Sequence, residues 1–339
     1  MKQTTLSLAY LFLGALSAGL LMTAPLGAGA AVRELPADIE RLYNGGLYRQ
    51  AAESLNAAIQ REPQESSLHY WLGRCFYELR DYNRAISSLE RAIALEPDRS
   101  DYHDWLGKSY GRKAEETNRF SAFSSISLAH KTHREFEAAV RLDANNLEAQ
   151  RDLIRYLLNA PGIVGGSEGG AQQRVRALGA LDPIEGALAQ AELFASRKKF
   201  DAASQEYRKV LEMMPDRIGV YFEIAEYYRD HGDAARMSEA VETGAPLAPS
   251  DHRLDYYRGI ALILGNQDPT EAERELRHYL DSVPDNANVP SHSTAHEWLG
   301  TLYEREGQLD KAVQEFQAAL ILDPRNKEAG ESLKALKRR

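Results

Sequence analysis

A single cysteine, Cys75, occurs in 339 residues. One thiol excludes an intrachain disulfide and a cysteine-based zinc site, and the expectation is a buried, unreactive side chain. Basic charge is also in short supply. Forty-one lysines and arginines against 50 aspartates and glutamates leave a net charge of −9. General nucleic-acid binding needs a basic face that displaces counterions, so this balance argues against nucleic acid as a partner. Past the first thirty residues no apolar run approaches the roughly 20 residues that cross a bilayer. Disorder is not expected either, because 43% hydrophobic and 27% charged residues is the ordinary balance of a chain that can bury a core.

Signatures of catalysis are missing as well. There is no Gly-x-Ser-x-Gly element. His296-Glu297 has no second histidine at the spacing that places two imidazoles on one helix face around zinc. The glycine-rich stretch Gly162 to Gly170 lacks the Gly-Lys-Ser/Thr ending of a phosphate loop, and Glu168 within it would repel a phosphate. It reads as a wide turn between helices, with a ligand-contacting lip as the alternative. No catalytic residue, metal ligand or cofactor is expected.

The first thirty residues differ from the rest. Lys2 is their only charge, and an apolar stretch runs from Leu6 to Met22 before Pro25 and Gly27 break it. Ala28-Gly29-Ala30 offers the small–x–small pattern of a signal-peptidase site. Residues 1–30 are therefore expected to be a cleaved export signal, with an uncleaved membrane anchor as the alternative. No cysteine follows, which excludes a bacterial lipoprotein anchor. The mature chain would be periplasmic or secreted, with no transmembrane span left after cleavage.

What the sequence has in abundance is repetition. Residues 68–97 and 295–324 align without a gap. The first carries Trp71, Leu72, Gly73, Phe76, Ala85, Leu89, Ala92 and Pro97; the second carries Trp298, Leu299, Gly300, Tyr303, Ala312, Phe316, Ala319 and Pro324 at the same offsets. Small residues in this register let two helices cross closely, large apolar ones fill the space beside them, and proline ends the second helix. Pro63, Pro97, Ala144, Pro183, Pro215, Pro249, Pro284 and Pro324 mark successive ends. They divide the chain into repeats near 32–65, 66–99, 100–146, 147–183, 184–217, 218–251, 252–286 and 293–326, with a basic capping helix over 327–339.

This pattern resembles the tetratricopeptide repeat (TPR) family across nearly the whole of residues 31–339. The resemblance implies an all-α fold, an α-solenoid wound as a right-handed superhelix of antiparallel helix pairs. Departures from the family pattern are local. Asp38-Ile39 replaces Leu-Gly in the first repeat, as suits a cap. Thirteen extra residues interrupt the third, around Lys113 to Leu128, where Phe120, Phe123, Ile126 and Leu128 suggest lengthened helices with a turn near Ser124-Ser125. Shorter insertions fall at 159–170 and 287–292. His69, His103 and His296 share one repeat position, which in this family packs helix against helix.

The resemblance also implies a ligand groove lined by the first helix of each repeat. Carried onto this chain, the groove positions are Arg74, Lys108, Arg112, Arg151 and Arg155 in repeats two to four, and Glu192 and Glu226 in repeats five and six. Tyr70, Tyr77, Phe222 and Tyr256 would supply aromatic platforms. The expectation is a bipolar groove whose basic stretch attracts an acidic peptide segment. The corresponding function is a non-catalytic scaffold or adaptor of the cell envelope that binds a protein partner. Two alternatives are an anionic polymer or glycan in the same groove, and an enzyme that uses the inserts as an active-site lip.

Overall fold

A computed structural model describes residues 35–117, 122–285 and 289–338. The expected signal over 1–30, its cleavage point after Ala30, and Phe120 lie outside the described residues. So does the side chain of Phe123. Among the described residues there is no strand, and no helix is long and apolar enough to cross a membrane.

The chain divides into two compact units at Met213 and Met214. The first holds α1 (Ala37–Asn44), α2 (Tyr48–Arg61), α3 (Ser66–Glu78), α4 (Tyr82–Leu95), α5 (Ser100–Thr117), α6 (Ala122–Leu142), α7 (Leu147–Asn159), α8 (Glu168–Leu181), α9 (Pro183–Ser196) and α10 (Phe200–Glu212). In the second are α11 (Ile218–Asp230), α12 (Ala234–Gly244), α13 (Arg253–Leu264), α14 (Pro269–Ser282), α15 (His292–Arg305), α16 (Leu309–Leu322) and α17 (Lys327–Leu336). Each odd-numbered helix from α1 to α15 pairs with the even one that follows. Odd helices also pack on the next odd helix: α3 on α5, α5 on α7 and α7 on α9 in the first unit, and α11 on α13, α13 on α15 and α15 on α17 in the second.

The glycine–large residue register has a direct steric cause. A Cβ on Gly73 would lie 2.6 Å from Cγ of Leu89, and one on Gly300 would lie 2.7 Å from the Phe316 ring. The large residue of the second helix occupies the space that a side chain on the first would need. Alanines one turn earlier, Ala85 and Ala312, are fully buried at the same crossings.

The turn inside most pairs is equally repetitive. Gly46, Arg80, Lys198, Gly232, Asn266 and Gly307 adopt left-handed backbone at equivalent places. The next N–H reaches back to close the helix, as in Asp81 N–H to the Phe76 carbonyl at 2.9 Å and Gln308 N–H to Tyr303 at 2.9 Å. Between pairs, a second device recurs in both units. Ser100 Oγ donates to the Ala139 carbonyl at 2.9 Å, and the Asn146 side chain both donates to Ser100 and accepts from Ala149 N–H to cap α7. Ser293, Ala319, Asn326 and Ala329 repeat this arrangement at the start of α17.

Two sequence expectations are met and one is corrected. Cys75 is fully buried, and burial pushes its thiol up to about 12. The third pair is lengthened, to 18 residues in α5 and 21 in α6. Ser124 and Ser125, however, lie within α6 and make no turn. Serine followed by β-branched and apolar residues reads as a loop locally, but here the Leu128–Val140 stretch continues the same helix.

Candidate functional site

The odd helices of the first unit carry the expected basic residues, and the structure brings Lys108, Arg151 and Arg155 into one cluster. It also brings carboxylates to each of them. Lys108 Nζ on α5 meets Asp104 at 2.8 Å, Asp152 at 2.9 Å, and Glu148 in a third, short contact. On α7, Arg151 pairs with Glu185 of α9 at 3.1 Å and with Glu192. Arg155 holds the same Glu192 at 2.8 Å and approaches Asp152 at 3.8 Å. The result is a continuous ion-pair chain from α5 through α7 to α9.

Three cations here meet five carboxyl groups, and burial pushes that of Asp104 well above the usual carboxylate range despite Lys108 beside it. The positive field expected of this stretch is therefore absent, because its own neighbours neutralise it. Glu192, read from the sequence as the start of a separate acidic stretch, is instead the shared partner of Arg151 and Arg155. Against the cost of burial, these two guanidiniums hold its carboxyl down at about 2. The three carboxylates around Lys108 likewise outweigh its burial and hold its ammonium well above the usual lysine range, so it stays charged.

Arg74 is engaged differently. Its guanidinium carbon lies 4.2 Å from the centre of the Trp71 ring and 4.3 Å from that of Trp105, with Tyr43 at 5.0 Å and Tyr70 at 5.5 Å. Cation–π attraction of this kind is worth about 1–2 kcal/mol when partly desolvated. Beside it, burial pushes the Glu78 carboxyl up to about 7, against the pull of Arg74 and Lys108. Arg112 donates to the Tyr77 hydroxyl at 3.3 Å and pairs with Glu115.

The expected aromatic platforms require correction. Tyr70, Phe222 and Tyr256 are 4%, 4% and 1% exposed, so none of them offers a face to a ligand. Tyr70 stacks on Tyr102 at 4.7 Å, and in the second unit Phe222 stacks on Tyr257 at 4.7 Å. Tyr256 packs against Tyr257 and Tyr279. Tyr77 remains half-buried against Tyr82 and Trp105. Glu226 accepts a hydrogen bond from Tyr257 at 2.9 Å, and burial raises its carboxyl above the usual range.

Several residues of the cluster were not singled out from the sequence: Trp71, Trp105, Asp104, Glu148, Asp152 and Glu185. Asp104 was within reach, since it stands four residues before Lys108 on one helix face. The others depend on which side chains of adjacent odd helices turn toward each other.

The histidines at the shared repeat position bind protein atoms. His69 and His103 each place Nε2 against the carbonyl of the preceding repeat's closing proline, Pro63 at 3.1 Å and Pro97 at 3.0 Å. His103 and His296 direct Nδ1 at Glu135 and Glu315, at 2.7 and 2.6 Å. The glycine-rich stretch is anchored around Val164 and Gly165, while Gly162, Ile163 and residues 167–169 are exposed. Tyr156 donates to the Val164 and Ala129 carbonyls, His133 stacks on Tyr156, and Gly165 at φ +103° lies where a Cβ would strike His133. Among the described residues, two groups have metal-ligand chemistry: Asp104, Glu148 and Asp152, which surround the Lys108 ammonium, and His252, Asp255 and His278 in the second unit.

The family model described as tetratricopeptide repeat matches residues 39–101 and 264–327, one stretch in each unit. The chain is a tetratricopeptide repeat protein. No curated protein sequence matches it. Among solved structures, yeast Tom70 is similar with a TM-score of 0.62 at 16% identity, over 93% of this chain and 67% of that one. The human IFIT1 dimer with m7Gppp-AAAA is similar with a TM-score of 0.56 at 14% identity, over 89% of this chain and 71% of that one. Likeness at such identity concerns the fold alone. TPR proteins are in general protein-interaction scaffolds and not catalysts. The IFIT1 structure shows that the fold does not by itself rule out a nucleic-acid ligand. For this TPR protein that exclusion rests on charge alone.

Proposed function

We propose that this TPR protein is an exported scaffold whose first unit binds a segment of a partner protein along α5, α7 and α9. The observation that carries the choice of partner is the excess of carboxylates in the ion-pair chain. Glu148 is half exposed, with a side-chain exposure of 51%, so it can reach a ligand while Lys108 stays enclosed. A surface with surplus negative charge concentrates ligands of positive charge. The partner segment is accordingly basic and not acidic, which reverses the sign read from the sequence. An anionic polymer, a glycan with acidic groups or an RNA would need uncompensated cations at Lys108, Arg151 and Arg155, and those are already paired.

Export rests on the leader-like residues 1–30 and is tested on the same material. Protein isolated from native envelope fractions is expected to begin at Ala31 by mass spectrometry; a chain retaining Met1 or Lys2 would leave the uncleaved anchor. Presented with arrays of lysine-rich and glutamate-rich peptides, the protein is expected to retain the lysine-rich ones, less so as salt rises. Glu148→Lys is expected to reduce that retention several-fold with unchanged helical content. Preference for acidic peptides or for RNA, or indifference to Glu148→Lys, would overturn this reading.

A further inference from the structure

The second unit contains a cluster of ligand-type side chains that the scaffold role leaves unused. His252 immediately precedes α13, Asp255 stands in the first turn of that helix, and His278 lies on α14. Asp255 Oδ2 is 3.1 Å from Nδ1 of His252 and 2.8 Å from Nδ1 of His278, so both imidazoles converge on one oxygen. The three candidate ligand atoms lie within 4.8 Å of one another. In tetrahedral zinc sites, bonds of 2.0–2.2 Å place ligand atoms about 3.4 Å apart. Small side-chain rotations therefore suffice to enclose an ion.

Glu275 stands one turn before His278 on α14 and pairs with Arg274 at 2.9 Å. Of the nearby arginines, Arg258 pairs with Glu242 at 2.7 Å, and Arg274 pairs with Glu271 and Glu275. The four side chains come from two helices of one repeat and face solvent at their outer edge, with His252 and His278 side chains 42% and 55% exposed. An ion thus has an entry path and room for a water ligand.

We propose that His252, Asp255 and His278 form a site for a divalent transition-metal ion of the zinc type, with Glu275 beside it. Two neutral imidazoles and a carboxylate suit such an ion, whereas calcium and magnesium prefer oxygen alone. Binding turns both imidazoles to the tautomer that carries its proton on Nε2, leaving Nδ1 lone pairs for the metal. The ion replaces the shared hydrogen bonds of Asp255 and ties the start of α13 to α14.

The test is calorimetric titration of zinc chloride into the full chain, with cobalt(II) absorption as a second readout. The wild-type protein is expected to bind one zinc ion at this cluster and to give the visible bands of a tetrahedral cobalt site. The double variant His252→Gln, His278→Gln is expected to lose affinity at least about tenfold and to lose those bands. Both side chains are substantially exposed, so helical content should be retained. If the double variant proves unstable, His278→Gln alone, at the more exposed position, answers the same question. Zinc affinity equal in wild type and variant, or no binding by the wild type, would overturn the proposal. His69→Gln, at a histidine outside the cluster, is expected to leave affinity unchanged.

Discussion

Replacing Lys108 by methionine is expected to destabilise the first unit by about 3–5 kcal/mol, the usual cost of removing one member of a buried ion-pair set. The Lys108 side chain is 9% exposed and Asp104 beside it 2%. Without the ammonium, Asp104, Glu148 and Asp152 are left as three carboxylates whose oxygens all lie within 4.8 Å of each other. They must then take up protons or draw apart, and either response costs free energy. In a Trp298→Phe background, urea unfolding followed by tryptophan fluorescence reports on the first unit, because Trp71 and Trp105 pack on Arg74 and Trp105 also on Lys108. The double variant Lys108→Met, Asp104→Asn should recover part of the loss. A midpoint equal to wild type for the single variant would show that the cluster is solvated and its pairing dispensable.

The second large effect concerns a backbone contact. A Cβ added at Gly186 in α9 would lie 2.3 Å from Cα and 2.8 Å from N of Gly179 in α8. These are main-chain atoms, so no rotamer change makes room, and the helices themselves must separate. Gly186→Ala is expected to cost about 3 kcal/mol, the upper part of the range for overpacking. The reciprocal change behaves differently. A Cβ at Gly179 meets only Gly186 Cα, at 3.7 Å, which is ordinary contact. Gly179→Ala is therefore expected to be close to neutral, its gain in helix propensity offsetting any crowding. Thermal unfolding of the two single variants decides the matter, and equal effects would contradict the contact geometry.

Much of the fold was legible because its signals are local. Gly73 with Leu89, and Gly300 with Phe316, stand sixteen residues apart in each case, and the contact they make is the one that the alignment of the two repeats implies. The burial of Cys75 followed from the same register. The turn expected near Ser124-Ser125 is absent because both serines lie inside α6, whose helix runs unbroken from Ala122 to Leu142.

The candidate site was legible only in part. Repeat register placed Lys108, Arg151 and Arg155 on adjacent first helices, and they do lie together. Register does not say which carboxylates turn toward them. Glu148 and Asp152 come forty and forty-four residues after Lys108, and Asp152 stands where the two aligned repeats carry Trp71 and Trp298. Tyr70 and Tyr256 show the same limit from the apolar side. A groove position can be filled by a ring that packs against its neighbour, and the burial of each ring depends on the residue it meets in the next helix.

By itself, then, the sequence determined the all-helical repeat, the pairing of each glycine with the large residue opposite, and the closing of each pair, since all of these are contacts within one repeat. Only the tertiary structure decided the sign of the surface along α5, α7 and α9 and the convergence of His252, Asp255 and His278. The physical reason is that charge adds over every side chain within a few ångströms. A count of like residues along one register cannot include the opposite charges that adjacent helices bring to the same place.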